Sequence, residues 1–391
     1  MVPNGWKEGR VRDLIKSLNA GVSVNSEDDG NLNSSYKILK TSCVSKGVFD
    51  PNETKSVVEE IEISRLKEPV LGDSIIISRM NTPALVGANG YIENGIDNTY
   101  LPDRLWQAKP KSNDVNMKWL GYWFASSHTR YTLSSTATGT SGSMKNITKS
   151  DVLNIKIDIP SLPEQRKIAK ILSIWDKAIS AAERLIDNSK QQKKALMQQL
   201  LTGKKRLLDD SGKPFEGEWL FSTFSEVFKV ANNKKTQIKS GDYLESGNIP
   251  IVDQGKQLIS GYTNNVEKYD DIPVIIFGDH TRIVKWVDFE FAQGADGTQV
   301  LKATKRFDTK FSYYLLSNTD IPNLGYSRHM RELKEKDFKH PNSIKEQQKI
   351  ALVLTNADNE IGLLEQQLAD LKQEKKALMQ QLLTGKRRVK V

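Results

Sequence analysis

The chain has 391 residues, enough for two or three domains, and its formal net charge of +9 favours a polyanionic partner, most often nucleic acid. A hydrophobic content of 38% with 27% charged residues excludes a disordered chain, and a single cysteine, Cys43, excludes an internal disulfide. The four histidines, His128, His280, His329 and His340, form no zinc-ligand spacing; residues 1–6 do not read as a signal peptide, and no apolar run approaches the roughly 20 residues that span a bilayer, so a reducing cytoplasm is the expected compartment.

Residues 1–160 read as a mixed α/β domain. Ser74–Ser78 (SIIIS) is a short buried-strand run, and 116–127 carries a helical apolar stripe of Trp119, Tyr122, Trp123 and Phe124. The loops of this domain hold residue types that contact nucleic acid: Arg79 and Asn81, then Arg130, then Thr140, Ser141, Ser143 and Lys145 in a glycine-bearing stretch. Arginine reads guanine bidentately, asparagine and glutamine read adenine, and Ser, Thr and backbone N–H groups hold phosphates.

Residues 161–207 follow a proline-bearing turn (Pro160 to Pro163) and end at Gly203, ordinary helix start and stop signals. Ile168, Leu172, Trp175, Ile179, Ala182, Ile186, Ser189, Lys193, Leu196 and Leu200 step by alternating fours and threes. Eight of these ten are apolar where about four would be expected from the composition, which marks a heptad seam. At 1.5 Å per residue, a helix of about 38 residues is about 57 Å long.

Residues 208–341 repeat the mixed character. Pro273–Gly278 and Val284–Phe289 read as strands, and Lys310–Ser317 as a helix with Phe311, Tyr313, Tyr314 and Leu315. Candidate DNA contacts here are His280, Arg282, Gln293, Arg328, His329 and Arg331. Residues 342–391 form a second heptad helix ending at Gly385, followed by a basic tail; its seam runs Ile350, Leu354, Ala357, Ile361, Leu364, Leu368, Leu371, Lys375, Leu378 and Leu382.

The two helices are copies. Lys193 to Lys204 (KKALMQQLLTGK) recurs unchanged as Lys375 to Lys386, and the match holds without a gap back to Glu164-Gln165 and Glu346-Gln347, through Asp176 and Asp358. Fainter likeness reaches into the flanks, where Gly139–Asp151 resembles Gly325–Asp337, and Trp6 and Trp219 stand at matching places before Asp13-Leu14 and Glu226-Val227. Each apolar seam needs a cover. The other copy in the same chain is the expected one, packed antiparallel; pairing between molecules is the alternative. Lys193 and Lys375 fall on the seam, so either it opens there or their ammonium groups reach out to water.

No phosphate-binding GxxxxGK[ST] loop, no GxGxxG, no Asn-Pro-Pro-Tyr methylase tetrapeptide and no convincing nuclease metal triplet occurs. Asp279-His280 is the most tempting pair, and loop bracing or recognition suits it better than catalysis. Cys43 reads as a core or half-buried residue.

The order of variable domain, helix, variable domain, helix resembles the specificity (S) subunit of type I restriction–modification enzymes. The helix starts PEQRKIA (163–169) and KEQQKIA (345–351), the helix ends LMQQLLTG (196–203 and 378–385) and the opening Pro3-Asn4-Gly5-Trp6 carry the likeness. Lys345 stands where the first copy has proline. The resemblance implies an α/β fold with two pseudo-two-fold-related target recognition domains joined by two long antiparallel coiled-coil helices. It implies a non-catalytic DNA-binding subunit that reads a bipartite double-stranded target, one half-site per domain, with the helices fixing the spacer. It further implies docking of two modification (methyltransferase) subunits that use S-adenosylmethionine, the addition of two restriction (ATP-dependent translocase and nuclease) subunits, and no cofactor or metal in this subunit. The alternative is a coiled-coil adaptor that does not bind DNA.

Overall fold

The computed structural model describes residues 2–28, 34–45, 47–139, 143–325 and 327–391. The chain divides into two compact units: Met1–Ala182 with Gln367–Val391, and Glu183–Gln366. The first long helix, Leu162–Leu200, gives its first half to one unit and its second half to the other, and the second long helix, Ile344–Leu382, does the converse.

Each unit is built on the same antiparallel sheet. In the first unit the order is Ile15–Ala20, Leu105–Pro110, Ser74–Ser78, Asn89–Ile92; in the second it is Phe228–Val230, Thr298–Ala303, Val274–Gly278, Val284–Val287. The expected runs Ser74–Ser78 and Val274–Gly278 are the inner strands. Their isoleucines are buried on both faces, which explains an apolar run instead of an alternation. Smaller sheets flank them: a three-stranded one with Lys37–Leu39 at its centre, and a four-stranded one that includes Ile249–Val252 and Ala292–Gly294. Cys43 is fully buried beside the former, and that burial raises its thiol pKa to about 12.

A two-stranded ribbon closes each domain. Lys7–Arg10 pairs with Lys156–Ile159, and Trp219–Thr223 with Asp337–Pro341. The domain therefore begins and ends at one place, and its last strand feeds directly into a long helix. There the repeated Glu-Gln dipeptide is buried, with Glu164, Gln165, Glu346 and Gln347 each at most 2% exposed. The Gln165 amide donates to Pro160 O (2.9 Å) and accepts from Asn116 N (2.9 Å); Gln347 does the same with Pro341 O (3.1 Å) and Asp308 N (3.0 Å). Asn116 and Asp308 in turn cap the helices Met117–Ala125 and Thr309–Ser317.

Buried carboxylates require compensation. Glu164 receives Arg388 bidentately (Nε 2.7 Å, Nη2 2.8 Å) and the indole N–H of Trp6 (3.0 Å). Glu346 receives Arg206 in the same fork (2.6 and 2.8 Å). Arg206 and Arg388 occupy matching places in the repeat, just beyond the glycines that end the long helices. Gly203 (φ +74°) and Gly385 (φ +66°) take the left-handed conformation, and the following chain closes each helix through Lys205 N→Gln199 O and Arg387 N→Gln381 O, both 3.1 Å. A Cβ at Gly385 would lie 2.5 Å from Pro3, and one at Gly203 would lie 2.9 Å from Trp219, so space as well as φ requires glycine there.

Within the first unit, partners on the two long helices run in opposite directions: Glu164 reaches Arg388, and Asp176 reaches Lys375. The second unit repeats this with Arg206 and Glu346, Lys193 and Asp358, and Lys190 and Glu365. The pairing is antiparallel and intramolecular, and all twenty seam positions are buried or half-buried. The core of each unit is continuous across the helix pair. Ile168, Leu172 and Leu382 join the first sheet's core, and Leu200, Ile350 and Leu354 join the second's.

The seam lysines do not open the seam or reach for water. The Lys375 ammonium lies 2.5 Å from Asp176 Oδ1 and 5.3 Å from the centre of the Tyr122 ring, whose hydroxyl donates to Asp176 Oδ2 at 2.5 Å. Lys193, Asp358 and Tyr314 repeat the arrangement, with the Tyr314 hydroxyl 2.7 Å from Asp358 and the ammonium 5.5 Å from the ring. Burial, and then the neighbouring carboxylate, raise both phenol pKa values, so each tyrosine remains a donor. A paired polar group in a seam adds little net stability but fixes register, because any slip leaves a charge unpaired. Asp176→Ala should cost about 1–3 kcal/mol in urea unfolding, since Lys375 and Tyr122 both lose their acceptor. The double substitution of Asp176 and Lys375 by leucine should recover most of that loss; an equal or larger loss in the double variant would contradict this account.

Candidate nucleic-acid interface

The inner strands end at equivalent points, since Ile75 pairs with Tyr91 as Ile275 pairs with Trp286. The candidate loops gather beyond these ends. In the first unit the chain turns at Arg79 into Met80–Asn81, which pairs antiparallel with Lys145–Asn146. Arg79 lies over the Trp106 ring at 6.0 Å, and its Nε is buried without a hydrogen-bond partner. Asn81 donates to Ser78 Oγ (3.2 Å) and accepts from Thr82 N (2.9 Å). Lys145 reaches Gly139 O at 3.5 Å, and Ser143 is exposed. Thr140 and Ser141 lie outside the described residues. Arg79, Asn81, Ser143 and Lys145 thus belong to one hairpin edge.

Arg130 has a different role. Its guanidinium donates to Val86 O (2.8 Å) and Ala84 O (3.0 Å), and burial lowers its pKa. It braces the 82–87 loop from behind, and those donors are committed inward.

In the second unit a buried polar network organises the loops. Asp279 is 2% exposed; its carboxylate accepts from Met330 N (2.6 Å) and so caps the short helix Met330–Lys334. The carbonyl of Asp279 accepts from the backbone N of His329 (2.8 Å) and meets its ring Nδ1 (2.9 Å), while Leu324 N donates to Nε2 (3.3 Å). A ring that accepts at Nε2 must carry its proton on Nδ1, which fixes the tautomer. Gln254 holds the other side through His280 N (3.0 Å), Asp296 O (2.7 Å) and Thr281 Oγ1 (2.6 Å). His280 Nδ1 lies 3.2 Å from Ser327 O. Gly297 (φ +87°) makes room, since a Cβ there would lie 2.7 Å from both Gln254 and His280. Arg282 is left-handed (φ +61°) and donates to Ile321 O at 2.9 Å; such a backbone in a non-glycine residue is a place where fold energy holds a loop in a set shape.

Two residues expected to face outward are turned in. Gln293 is 1% exposed and bonded to Thr298 O (2.8 Å), Asn232 Oδ1 (3.3 Å) and Asn233 N (3.2 Å). His329 is fully buried in the Asp279 network. Both hold loops in place, because a buried amide or imidazole satisfies itself internally before it can read anything outside. Arg328 and Arg331 are exposed; with Lys334 they line an open groove of about 490 Å³ whose floor includes Met330 and Asp279. Asp279 thus takes the bracing role that is one of the two expected of the Asp279-His280 pair, whereas nothing in the sequence marks Gln254 as its counterpart. Among the described residues no group of three His, Cys, Asp or Glu could hold a metal ion, and no helix is long and apolar enough to cross a membrane.

Two copies of one sheet-and-helix unit, with different polar and cationic loops set on the same strand ends, define a duplicated nucleic-acid recognition frame. The family model for the type I restriction modification DNA specificity domain matches residues 3–188 and 216–373. The MjaVIII type I restriction enzyme specificity subunit of Methanocaldococcus jannaschii is 25% identical over 437 positions, covering 100% of this chain and 94% of that one. The EcoR124I/EcoR124II specificity subunit of Escherichia coli is 34% identical over 122 positions, 30% of each. The S subunit structure from M. genitalium shares the fold with a TM-score of 0.61 at 16% identity, over 98% of this chain and 99% of that one. The chain belongs to the type I restriction–modification DNA specificity family: it is the non-catalytic DNA specificity subunit of such a system, part of an assembly that binds DNA.

The geometry separates exposed cations such as Arg328 and Arg331 from Arg130, whose donors are committed inward. Arg328→Ala and Arg331→Ala should each weaken duplex binding and flatten the slope of log K against log salt by about 1 for every phosphate left without its cation. Arg130→Ala should lower thermal stability first. An unchanged salt slope in the Arg328/Arg331 double variant would remove this groove from the interface.

Proposed function

We propose that residues 1–160 and 208–341 are two target recognition domains, each reading one half of a split duplex sequence. The 161–207 and 342–391 segments would set the number of unread base pairs between the halves. Arg79, Asn81, Ser143, Lys145, His280, Arg282, Arg328 and Arg331 are the proposed contacts, together with Thr140 and Ser141; Arg130, Gln293 and His329 hold the loops that carry them. The observation that supports this most is the matched strand order of the two units beneath unlike loops. One frame presents two different reading edges, so an asymmetric bipartite target follows from the duplication.

The same duplication offers two equivalent places for identical partners. The reading therefore includes two modification subunits, which supply S-adenosylmethionine and methylate adenine in each half-site, with restriction subunits joining as ATP-driven translocases. Work is expected inside the cytoplasm, where the cell's own DNA is methylated.

Lengthening one long helix by a turn tests the spacer role. Methylation mapping of DNA from cells co-expressing the chain and its modification subunit should show both half-sites unchanged and a longer spacer. Altered half-sites with an unchanged spacer would overturn it. Exchanging residues 1–150 for those of another family member should alter one half-site alone.

A further inference from the structure

The two units differ at a place on the helix that packs against the sheet, where their shared frame predicts sameness. Asn116 and Asp308 fix the correspondence of the helices Met117–Ala125 and Thr309–Ser317 at their starts, because both cap their helix and both bond the helix-start glutamine. Six residues on, Tyr122 and Tyr314 fix it again, because both donate to the seam aspartate. Lys118 then corresponds to Lys310 and Gly121 to Tyr313. Across the sheet, Tyr91 corresponds to Trp286 by strand register.

In the second unit Tyr313 fills its place with a ring. Its centroid lies 5.9 Å from that of Trp286 and 5.0 Å from that of Tyr314, and the Lys310 ammonium stands 5.2 Å away. In the first unit the corresponding ring is missing. The space beside Gly121 belongs to a cavity of about 480 Å³ whose walls include Tyr91, Tyr122 and Lys118, with Phe49 and the ion-paired Asp176 and Lys375; the Lys118 ammonium lies 3.4 Å from Glu93 and 5.6 Å from the centre of the Tyr91 ring. That volume is within the range of ligand sites, and the walls combine aromatic faces with a few charged groups. Glycine inside a helix costs about 1 kcal/mol relative to alanine, and the close approach of Tyr91 and Ile75 accounts for Gly121 here.

We propose that this cavity is a binding site for one aromatic ring of the phenol class, seated between Tyr91 and Tyr122 beside the Lys118 ammonium, where it would reproduce the surroundings of Tyr313. Two ring neighbours and a cation are the contacts that a π face takes up. The ring comes either from a free small molecule or from an aromatic side chain of a bound protein, and the site's chemistry is the same for both.

The probe is p-cresol, titrated into the full-length chain and followed by saturation-transfer NMR, with 4-azidophenol as its photolabelling counterpart. One saturable site is expected, with label on peptides that carry Tyr91, Tyr122 or Phe49. Gly121→Tyr, which supplies the ring as the second unit does, should weaken binding at least tenfold. A Cβ at this position would lie 3.2 Å from the Tyr91 Cβ, so the helix must shift slightly; should the variant fail to fold, the labelled positions in the unaltered chain decide. Non-saturable signals, label scattered over the surface, or a folded Gly121→Tyr variant that binds as the parent does would overturn the proposal. Given a bound probe, displacement by added modification subunit identifies a protein side chain as the ring's source, and retention identifies a free ligand.

Discussion

A lysine on an apolar helix seam must find a carboxylate or leave the seam, and Lys193 and Lys375 each find one on the opposite helix beneath a tyrosine of the adjoining domain. These two triads are where the long helices and the domains of each unit are tied together. The aspartate ties helix to helix through the lysine and helix to domain through the tyrosine hydroxyl. One residue therefore sets the register of the pair and the seat of the domain upon it. Leucine at both lysine positions would make a more apolar seam, but it would let the helices slide, and the cost of an unpaired charge is what forbids the slide.

The helix starts add a second constraint of the same kind. A buried glutamate held by an arginine from beyond the other helix's end, and a glutamine that bonds the cap residue of the domain's own helix, leave the domain little freedom to pivot. Such positions tolerate few substitutes, because loss of either partner strands a buried polar group. In the second unit the buried Asp279, His329 and Gln293 put the same demand on the loop bases, while Arg328 and Arg331 stay exposed.

The frame was legible in the sequence because it is periodic and repeated. The fours and threes of the seam gave both long helices, the gapless repeat gave their kinship, and the Ser74–Ser78 and Val274–Gly278 runs gave the inner strands. The fate of the seam lysines was not legible, because their partners lie at distant positions on the other helix and depend on antiparallel register. Residue type also does not reveal which side chains are turned inward. Arg130, Gln293 and His329 have the right chemistry for DNA, yet their donors and acceptors are spent on backbone and side-chain groups brought near by the sheets. The Gly121 cavity was hidden for a related reason: the helices that reveal it correspond at a spacing different from that of the long helices, so the repeat read along the chain does not align Gly121 with Tyr313.

Charge reversal tests the intramolecular seam most directly. Lys375→Glu and Asp176→Lys should each lower the melting temperature of the purified chain, and the two together in one chain should restore most of the loss. Mixing, or co-expressing, the two single variants should restore nothing. Rescue between separate chains, or no rescue within one, would mean that the duplicated helices do not pair inside a single molecule.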